Sequence, residues 1–479
     1  MTDRPPQGAG DRPKLPAGVA AGHPDTARVG RDVLRRGGSA ADAAAAMVLA
    51  GCVAETIFTG LAGGGFATVY QQDTGAVTCI DFFVSVPGLD GSEAGPATTI
   101  AVSFGGVAVP YAVGGPTVAV PGTPAGVAAL HGRFGRLPWH EIVGPAVRLA
   151  EAGSPFSQAH ADLLPDVAAA MVLGDGIGSY SRTDLVTGQR LLSAGERLHH
   201  PGLAGTLQVL ADQGPDAFYT GPVGRALVAA VRADGGALSL DDLAAYRVID
   251  LPVHRVPFAG LQLSARGNDL DGFAETARRL DVAAVAAGGV PRARALVAAL
   301  RAPALRSETT SLVAVDSDGN ACVVTHSLGL GSGVWVGGMH GNSMLGEGEL
   351  LRGPLTAGAR MPSMMVPSVV TDDAGALVVA GGAAGGSRIR PALLQVLSGL
   401  LVQGLDAPTA VAAPRLSASL EAVHLEPGLG PVVAQALRSD GHTVVEWEAP
   451  RPYFGGVSVA AGSGPAADPR RGGLALTVR

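Results

Sequence analysis

Cysteine is scarce in this chain. The three present, Cys52, Cys79 and Cys322, are odd in number, widely spaced and set in apolar contexts, which suits neither a disulfide framework nor a zinc site. They read as buried free thiols, and neither a metal nor an organic cofactor is implied. Charge is sparse too: 16% of residues are charged, 34 basic against 41 acidic, for a net charge of -7. Without a basic stripe interleaved with aromatics, the chain lacks the footprint of a nucleic-acid binder. Every apolar run is cut by Gly, Asp or Arg before membrane-spanning length, and Met1 to Pro16 is polar and proline-rich where a secretory signal would carry an apolar core. The expectation is a cytoplasmic protein with no membrane partner. No Gly/Ser linker or charge block divides it.

What remains is a chain of 479 residues, 47% of them hydrophobic and 70 of them glycine, enough for one large, well-buried globule. Asp25 to Val53 is alanine-rich with apolar residues at helical spacing and is broken by Gly37-Gly38, so two helices joined by a turn are predicted. Strands over Phe66 to Tyr70 and Val77 to Phe82 flank the hairpin signal Asp73-Thr74-Gly75. Helices follow over Pro124 to Phe134, Trp139 to Ala152, Leu203 to Asp212 and Pro222 to Asp234, and Ser239 caps a further one. Leu251 to Ser307, rich in arginine and alanine, reads as helical. Beyond it the pattern turns to strands at Leu312 to Asp316, Ala321 to Ser327, Ser368 to Thr371 and Ala376 to Ala380, then a leucine-rich helix from Arg390 to Gln403.

The segment Ser307-Glu308-Thr309-Thr310-Ser311-Leu312-Val313-Ala314-Val315-Asp316 has two readings. One is an ordinary strand entering a hairpin at Ser317-Asp318-Gly319-Asn320. The other is a nucleophile released by self-cleavage. A hydroxyl attacks poorly at neutral pH unless a base stands beside it, and scission between Glu308 and Thr309 would give Thr309 its own α-amine as that base. Such an amine ordinarily titrates at about 7.7–8.0, near the optimum for a general base.

Ala21-Gly22-His23-Pro24, Gly37-Gly38-Ser39-Ala40-Ala41-Asp42, Gly63-Gly64-Gly65-Phe66, Ala119-Val120-Pro121-Gly122, Pro145-Ala146-Val147-Arg148-Leu149-Ala150, Phe218-Tyr219-Thr220-Gly221 and Gly385-Gly386-Ser387-Arg388-Ile389 occur in that order. This ordered set resembles the γ-glutamyltranspeptidase family of N-terminal nucleophile hydrolases over roughly Gly18 to Leu420. The resemblance implies an α+β fold, a four-layer α/β/β/α sandwich. It also implies division into a large subunit, residues 1–308, and a small one, 309–479, which together form one globular domain and leave room for a homo-oligomer. Thr309 matches the nucleophile, Ser327 the hydroxyl that orients it, and Gly385 and Gly386 the backbone amides that hold the oxyanion. Ser363 matches the first of two adjacent serines that bind the substrate carboxylate, and Glu347 the acid that binds the substrate ammonium.

Other positions depart from the family. Phe83 stands where an arginine clamps the α-carboxylate, Met364 replaces the second serine, Ser311 a histidine and Gly329 an amine-binding asparagine. Phenylalanine cannot pair with a carboxylate. Losing one partner of a buried charge pair costs about 3–5 kcal/mol, so glutathione should bind poorly unless another cation takes over. The resemblance thus implies an autoprocessed hydrolase or acyltransferase acting on a small amino-acid-like molecule, with the substrate clamp remodelled. Two alternatives stay open: a C–C bond hydrolase acting on a keto-acid side chain in a natural-product (alkylproline) pathway, and a degenerate member that binds a small molecule or serves as a scaffold.

Overall fold

A computed structural model describes residues 13–104, 107–184, 188–301, 309–348, 350–351 and 353–478. Two antiparallel sheets form its centre. The first has seven strands in the order Ile249–Leu251, Ala76–Phe82, Gly64–Gln71, Ala321–Ser327, Thr310–Val315, Gly18–Ala21 and Leu474–Thr477. The second has six, in the order Val253–Phe258, Leu261–Arg266, Ser368–Thr371, Leu377–Ala384, Gly456–Ala461 and Gly464–Ala467.

The period of two along each strand decides what each sheet faces. Leu312, Ala314, Cys322 and Val324 pack in one apolar cluster with the helix Ala40–Ala54. Their neighbours Val313, Val315, Ala321 and Val323 pack in another with Val369, Ala380 and Ala460 of the second sheet. On the far side of that sheet, Val370, Val379, Val457 and Val459 meet Leu393, Leu394 and Leu397 of the helix Ile389–Leu401. The result is the expected four-layer α/β/β/α sandwich.

Ala40–Ala54 can lie between the first sheet and outer helices because it is mostly alanine, and all its residues are buried. A capping box starts it: Ser39 Oγ accepts from Asp42 N at 3.0 Å and Asp42 Oδ2 from Ser39 N at 3.0 Å. The predicted pair of helices is Pro24–Arg35 and Ala40–Ala54, and Trp139–Ala152 matches its predicted bounds. The three cysteines are free and buried.

The helical reading of Leu251 to Ser307 fails in its first part. Val253–Phe258 and Leu261–Arg266 form a β-hairpin, and the helices Phe273–Arg279, Val282–Ala287 and Gly289–Leu300 come only after it. Its signal was an alternation of Val256 and Phe258 with Arg255 and Pro257, closed by Ala259-Gly260, whose φ angles of 52° and 78° make a two-residue turn. Pro257 is tolerated because its strand lies at the sheet edge.

Among the described residues no helix is long and apolar enough to cross a membrane.

Candidate active site

Thr309 immediately precedes the central strand Thr310–Val315 and is 2% exposed. The strand's alternation separates the two threonines. Thr310 turns to the helix layer, where its Oγ1 donates to Glu55 Oε2 at 2.5 Å, and Glu55 also accepts from Thr26 at 2.7 Å. That geometry turns the Thr310 hydroxyl away from the space between the sheets. Thr309 instead lines a small cavity of about 10 Å³, room for about one water.

Around that cavity the fold assembles residues far apart in sequence. Thr309, Ser327, Ser363 and Gly386 supply its polar wall; Phe83, Met344, Leu350, Met364, Met365 and Ile389 supply an apolar one. Ser327 arrives as the last residue of the strand paired with Thr310–Val315, and its Oγ accepts from Gly329 N at 3.0 Å. Ser363 Oγ accepts from Met365 N at 3.1 Å.

Gly385 and Gly386 join the strand Leu377–Ala384 to a short 3-10 turn and the helix Ile389–Leu401. Their φ angles are 116° and 58°, a region that side chains with a Cβ enter only with strain. A Cβ on Gly385 would stand 3.1 Å from Arg471 Nη2 and 3.2 Å from Gly455 Cα. Backbone amides at such a turn, ahead of a helix with its positive dipole end toward the site, suit an oxyanion.

The remaining predicted residues lie behind or beside the cavity. Ser311 points between the sheets, where its hydroxyl meets Thr325 Oγ1 at 3.1 Å, and a Cβ on Gly382 would be 2.5 Å from Ser311 Oγ. It is not among the residues lining the cavity. Glu347 is buried next to it, and its Oε1 accepts from Tyr111 OH at 3.2 Å while that phenol meets Ser343 Oγ at 2.6 Å. Gly329, at φ 72°, sits against this trio. A Cβ there would be 2.5 Å from Ser343 Oγ, 2.8 Å from Glu347 Oε1 and 2.9 Å from Tyr111 OH, so no asparagine fits without displacing them. Glu308 lies outside the described residues.

Two arginines pack behind the apolar wall. Arg266 donates to Met365 O at 3.0 Å and stacks its guanidinium 3.7 Å above the Phe66 ring. Arg360 donates to Phe83 O at 2.9 Å, lies 3.5 Å from Asp81 and stacks 4.3 Å over Tyr246. Both guanidiniums are thus engaged behind the wall.

Sequence reasoning also missed Tyr111, Glu55 and Arg471, whose Nη1 donates to the carbonyl oxygen of Thr309 at 3.1 Å. Glu55 had a faint signal, an acid closing an apolar helix. Arg471, 162 residues further along the chain, had none.

His326, opposite Thr310 across the strand pair, meets Thr59 Oγ1 at 2.6 Å, and burial pushes its imidazole down to about 3. Burial does the same to His200 and His340, both to about 3. Each therefore folds neutral and charges more readily unfolded, where histidine titrates near 6.5. Their stabilising contribution is whole above about pH 6.5 and is lost as the pH falls toward 3. The expected result is an unfolding free energy, measured by urea titration, that drops steadily over that window, by up to about 1.4 kcal/mol per pH unit for each histidine. An unfolding free energy that stays level from pH 6.5 to 4 would contradict it.

A sequence-family model described as gamma-glutamyltranspeptidase matches residues 26–282 and 291–478. The chain belongs to that family. Among curated relatives of this family member, the acylase ACY 1 proenzyme of Pseudomonas sp. strain SE83 is 27% identical over 490 residues, covering 89% of this chain and 87% of its own. The glutathione hydrolase proenzyme of Pseudomonas aeruginosa is 28% identical over 549 residues, covering 96% and 95%. The solved cephalosporin acylase from Bacillus halodurans has the same fold, with a TM-score of 0.76, 22% identity and coverage of 100% and 99%. So does LmbA2991HD, with a TM-score of 0.74, 19% identity and coverage of 99% and 100%. The gamma-glutamyltranspeptidase-family member described here thus has the N-terminal nucleophile hydrolase fold and belongs among hydrolases and acyltransferases.

Proposed function

We propose that this gamma-glutamyltranspeptidase-family protein is an autoprocessed hydrolase or acyltransferase whose nucleophile is Thr309 and whose acyl pocket is apolar. Cleavage between Glu308 and Thr309 divides the chain into residues 1–308 and 309–479 and frees the α-amine. Thr309 Oγ1 attacks the substrate carbonyl while that amine takes the hydroxyl proton, and the backbone at Gly385 and Gly386 stabilises the oxyanion. Ser327 holds the hydroxyl in its reactive rotamer. The amine then protonates the leaving group, and water or an acceptor amine releases the acyl group.

The observation that carries this reading is the shared cavity. Thr309, Ser327, Ser363 and Gly386 meet there from four separate stretches of chain.

Its apolar wall sets the substrate class. Phe83 and Met364, which the family resemblance matches to a clamping arginine and a carboxylate-binding serine, line the cavity, and Met344, Leu350, Met365 and Ile389 extend the same surface. Arg266 and Arg360, held on backbone carbonyls, do not restore the clamp. A cavity of about one water must widen to take a substrate, and the unbranched methionines are the side chains best able to repack. The acyl group is therefore apolar, without a free α-carboxylate to bind.

The second reading is C–C bond hydrolysis on a keto-acid side chain: the same hydroxyl attacks the keto carbonyl, the bond from that carbonyl to the alkyl-bearing carbon breaks, and the proton held by the amine passes to that carbon; there the apolar lining would meet the alkyl group and not the acyl group. Intact mass spectrometry of the purified protein, followed by assays with hexanoyl-p-nitroanilide and γ-glutamyl-p-nitroanilide, tests the scheme. Two chains meeting at Glu308 and Thr309, with the hexanoyl compound turned over at least about tenfold faster, are expected. That ratio corresponds to about 1.4 kcal/mol of transition-state discrimination. Processed protein active on neither compound would point to the keto-acid reading; an unprocessed chain would return the protein to a binding or scaffold role.

A further inference from the structure

A second cavity, of about 340 Å³, shares no lining residue with that of Thr309. Asp175, Ile177, Ser179, His200, Pro201 and Trp335 line it together with glycine backbone. That size, and that mixture of ring, aliphatic and polar surface, suit a small organic molecule.

Trp335 is fixed in place. Its Nε1 donates to Leu173 O at 2.9 Å, and His340 stacks on the indole at 4.1 Å with the two rings 12° apart. Leu173 belongs to the turn that carries Asp175. Glycines on either side of Asp175 let this turn lie against the ring: a Cβ on Gly174 would be 3.3 Å from Trp335 Cδ1, and one on Gly176 3.0 Å from Cζ2. The Asp175 carboxylate is exposed and has no partner among the described residues. It is the one formal charge in the cavity lining. Arg182, on the strand that follows, is turned to the carbonyl oxygens of Ser181 and Arg197, each at 2.6 Å, and lines no part of the cavity.

His200, 3% exposed, stacks beside Trp335 with ring centres 5.6 Å apart. Its Nε2 meets Thr56 Oγ1 at 2.9 Å, and that hydroxyl meets Tyr180 OH at 2.6 Å. Thr56 is the partner of the buried Tyr180 phenol, so the phenol donates to Thr56, Thr56 donates to His200 Nε2, and the imidazole proton sits on Nδ1. Nδ1 is therefore a donor, and it is buried without a partner. An unpaired buried donor is costly, and an acceptor seated in the cavity that His200 lines relieves that cost.

We propose that this cavity binds an aromatic amine that also carries a carbonyl group. The ring lies against Trp335, Ile177 and Pro201, the ammonium meets Asp175 at the mouth, and the carbonyl oxygen accepts from His200 Nδ1. Asp175 repels a free carboxylate on the ligand, so an amide fits better than a zwitterionic amino acid. The site stands whether or not the chain is cleaved before Thr309.

Phenylalaninamide, titrated calorimetrically into the intact protein, is the probe. One site with a Kd below about 1 mM is expected. 3-Phenylpropionamide, which lacks the ammonium, should bind about threefold more weakly, and phenethylamine, which lacks the carbonyl, about fivefold. Asp175→Asn should abolish the first difference by weakening phenylalaninamide alone, and Trp335→Leu should weaken all three compounds at least about tenfold. Absence of saturable binding to the wild-type protein would overturn the proposal. So would a Kd unchanged in both variants, which would put the amide elsewhere on the protein. If Trp335→Leu does not fold, Asp175→Asn decides alone: no change, or equal weakening of phenylalaninamide and 3-phenylpropionamide, overturns the assignment.

Discussion

Thr309→Ala is expected to yield a protein that stays a single chain on long incubation and lacks turnover, with kcat reduced at least about 10⁴-fold. The methyl side chain has no oxygen to attack either the preceding peptide or a substrate carbonyl, so processing and catalysis fail together. The variant should still fold, since Thr309 precedes the strand rather than belonging to it and the neighbouring pairings from Thr310 onward involve other residues. Thr309→Ser keeps the hydroxyl and is expected to process and turn over more slowly, because serine lacks the methyl that restricts the rotamer. Electrophoresis and single-turnover assays separate these outcomes. A Thr309→Ala protein that still splits at residue 308 would remove Thr309 from the mechanism, since Thr310, bound to Glu55, is turned to the other face.

The second large effect is expected at the glycine turn. Gly385→Ala forces a Cβ onto a residue at φ 116°, 3.1 Å from Arg471 Nη2 and 3.2 Å from the Gly455 backbone. The turn relaxes by rotating its peptide planes, and an oxyanion donor that rotates away costs about 10²–10³ in kcat. Strain of this kind also lowers stability by about 1–3 kcal/mol, which urea unfolding measures separately. KM should change less, because all of the apolar wall except Ile389 is built by other segments. Unaltered kcat in a folded Gly385→Ala protein would mean that these amides do not face the reacting oxygen.

Much of the fold was legible in the sequence where periodicity and punctuation agreed. The alanine-rich run closing at Ala54, the hairpin at Asp73-Thr74-Gly75 and the helix Trp139–Ala152 announced themselves through apolar spacing, caps and turns. The hairpin of Val253–Phe258 and Leu261–Arg266 did not, because arginines and Pro257 on an edge strand diluted its alternation. At the site, Thr309, Ser327, Ser363 and Gly386 could be named from short motifs because each sits in a distinctive local run. Their common cavity could not, since it is made by the approach of two sheets. Gly329 shows the same limit. The sequence gives a departure from the family, and only the trio of Tyr111, Ser343 and Glu347 around it explains why nothing larger fits.

By itself, then, the order of residues determined the sandwich and the family, because backbone period, turn chemistry and motif order are local properties. Tertiary structure alone decided which of two adjacent threonines faces the cavity, that the wall opposite it is apolar, and that Arg471 touches the carbonyl of Thr309 from 162 residues further along the chain. Those facts depend on strand parity and on packing between distant segments, and neither leaves a trace in neighbouring letters.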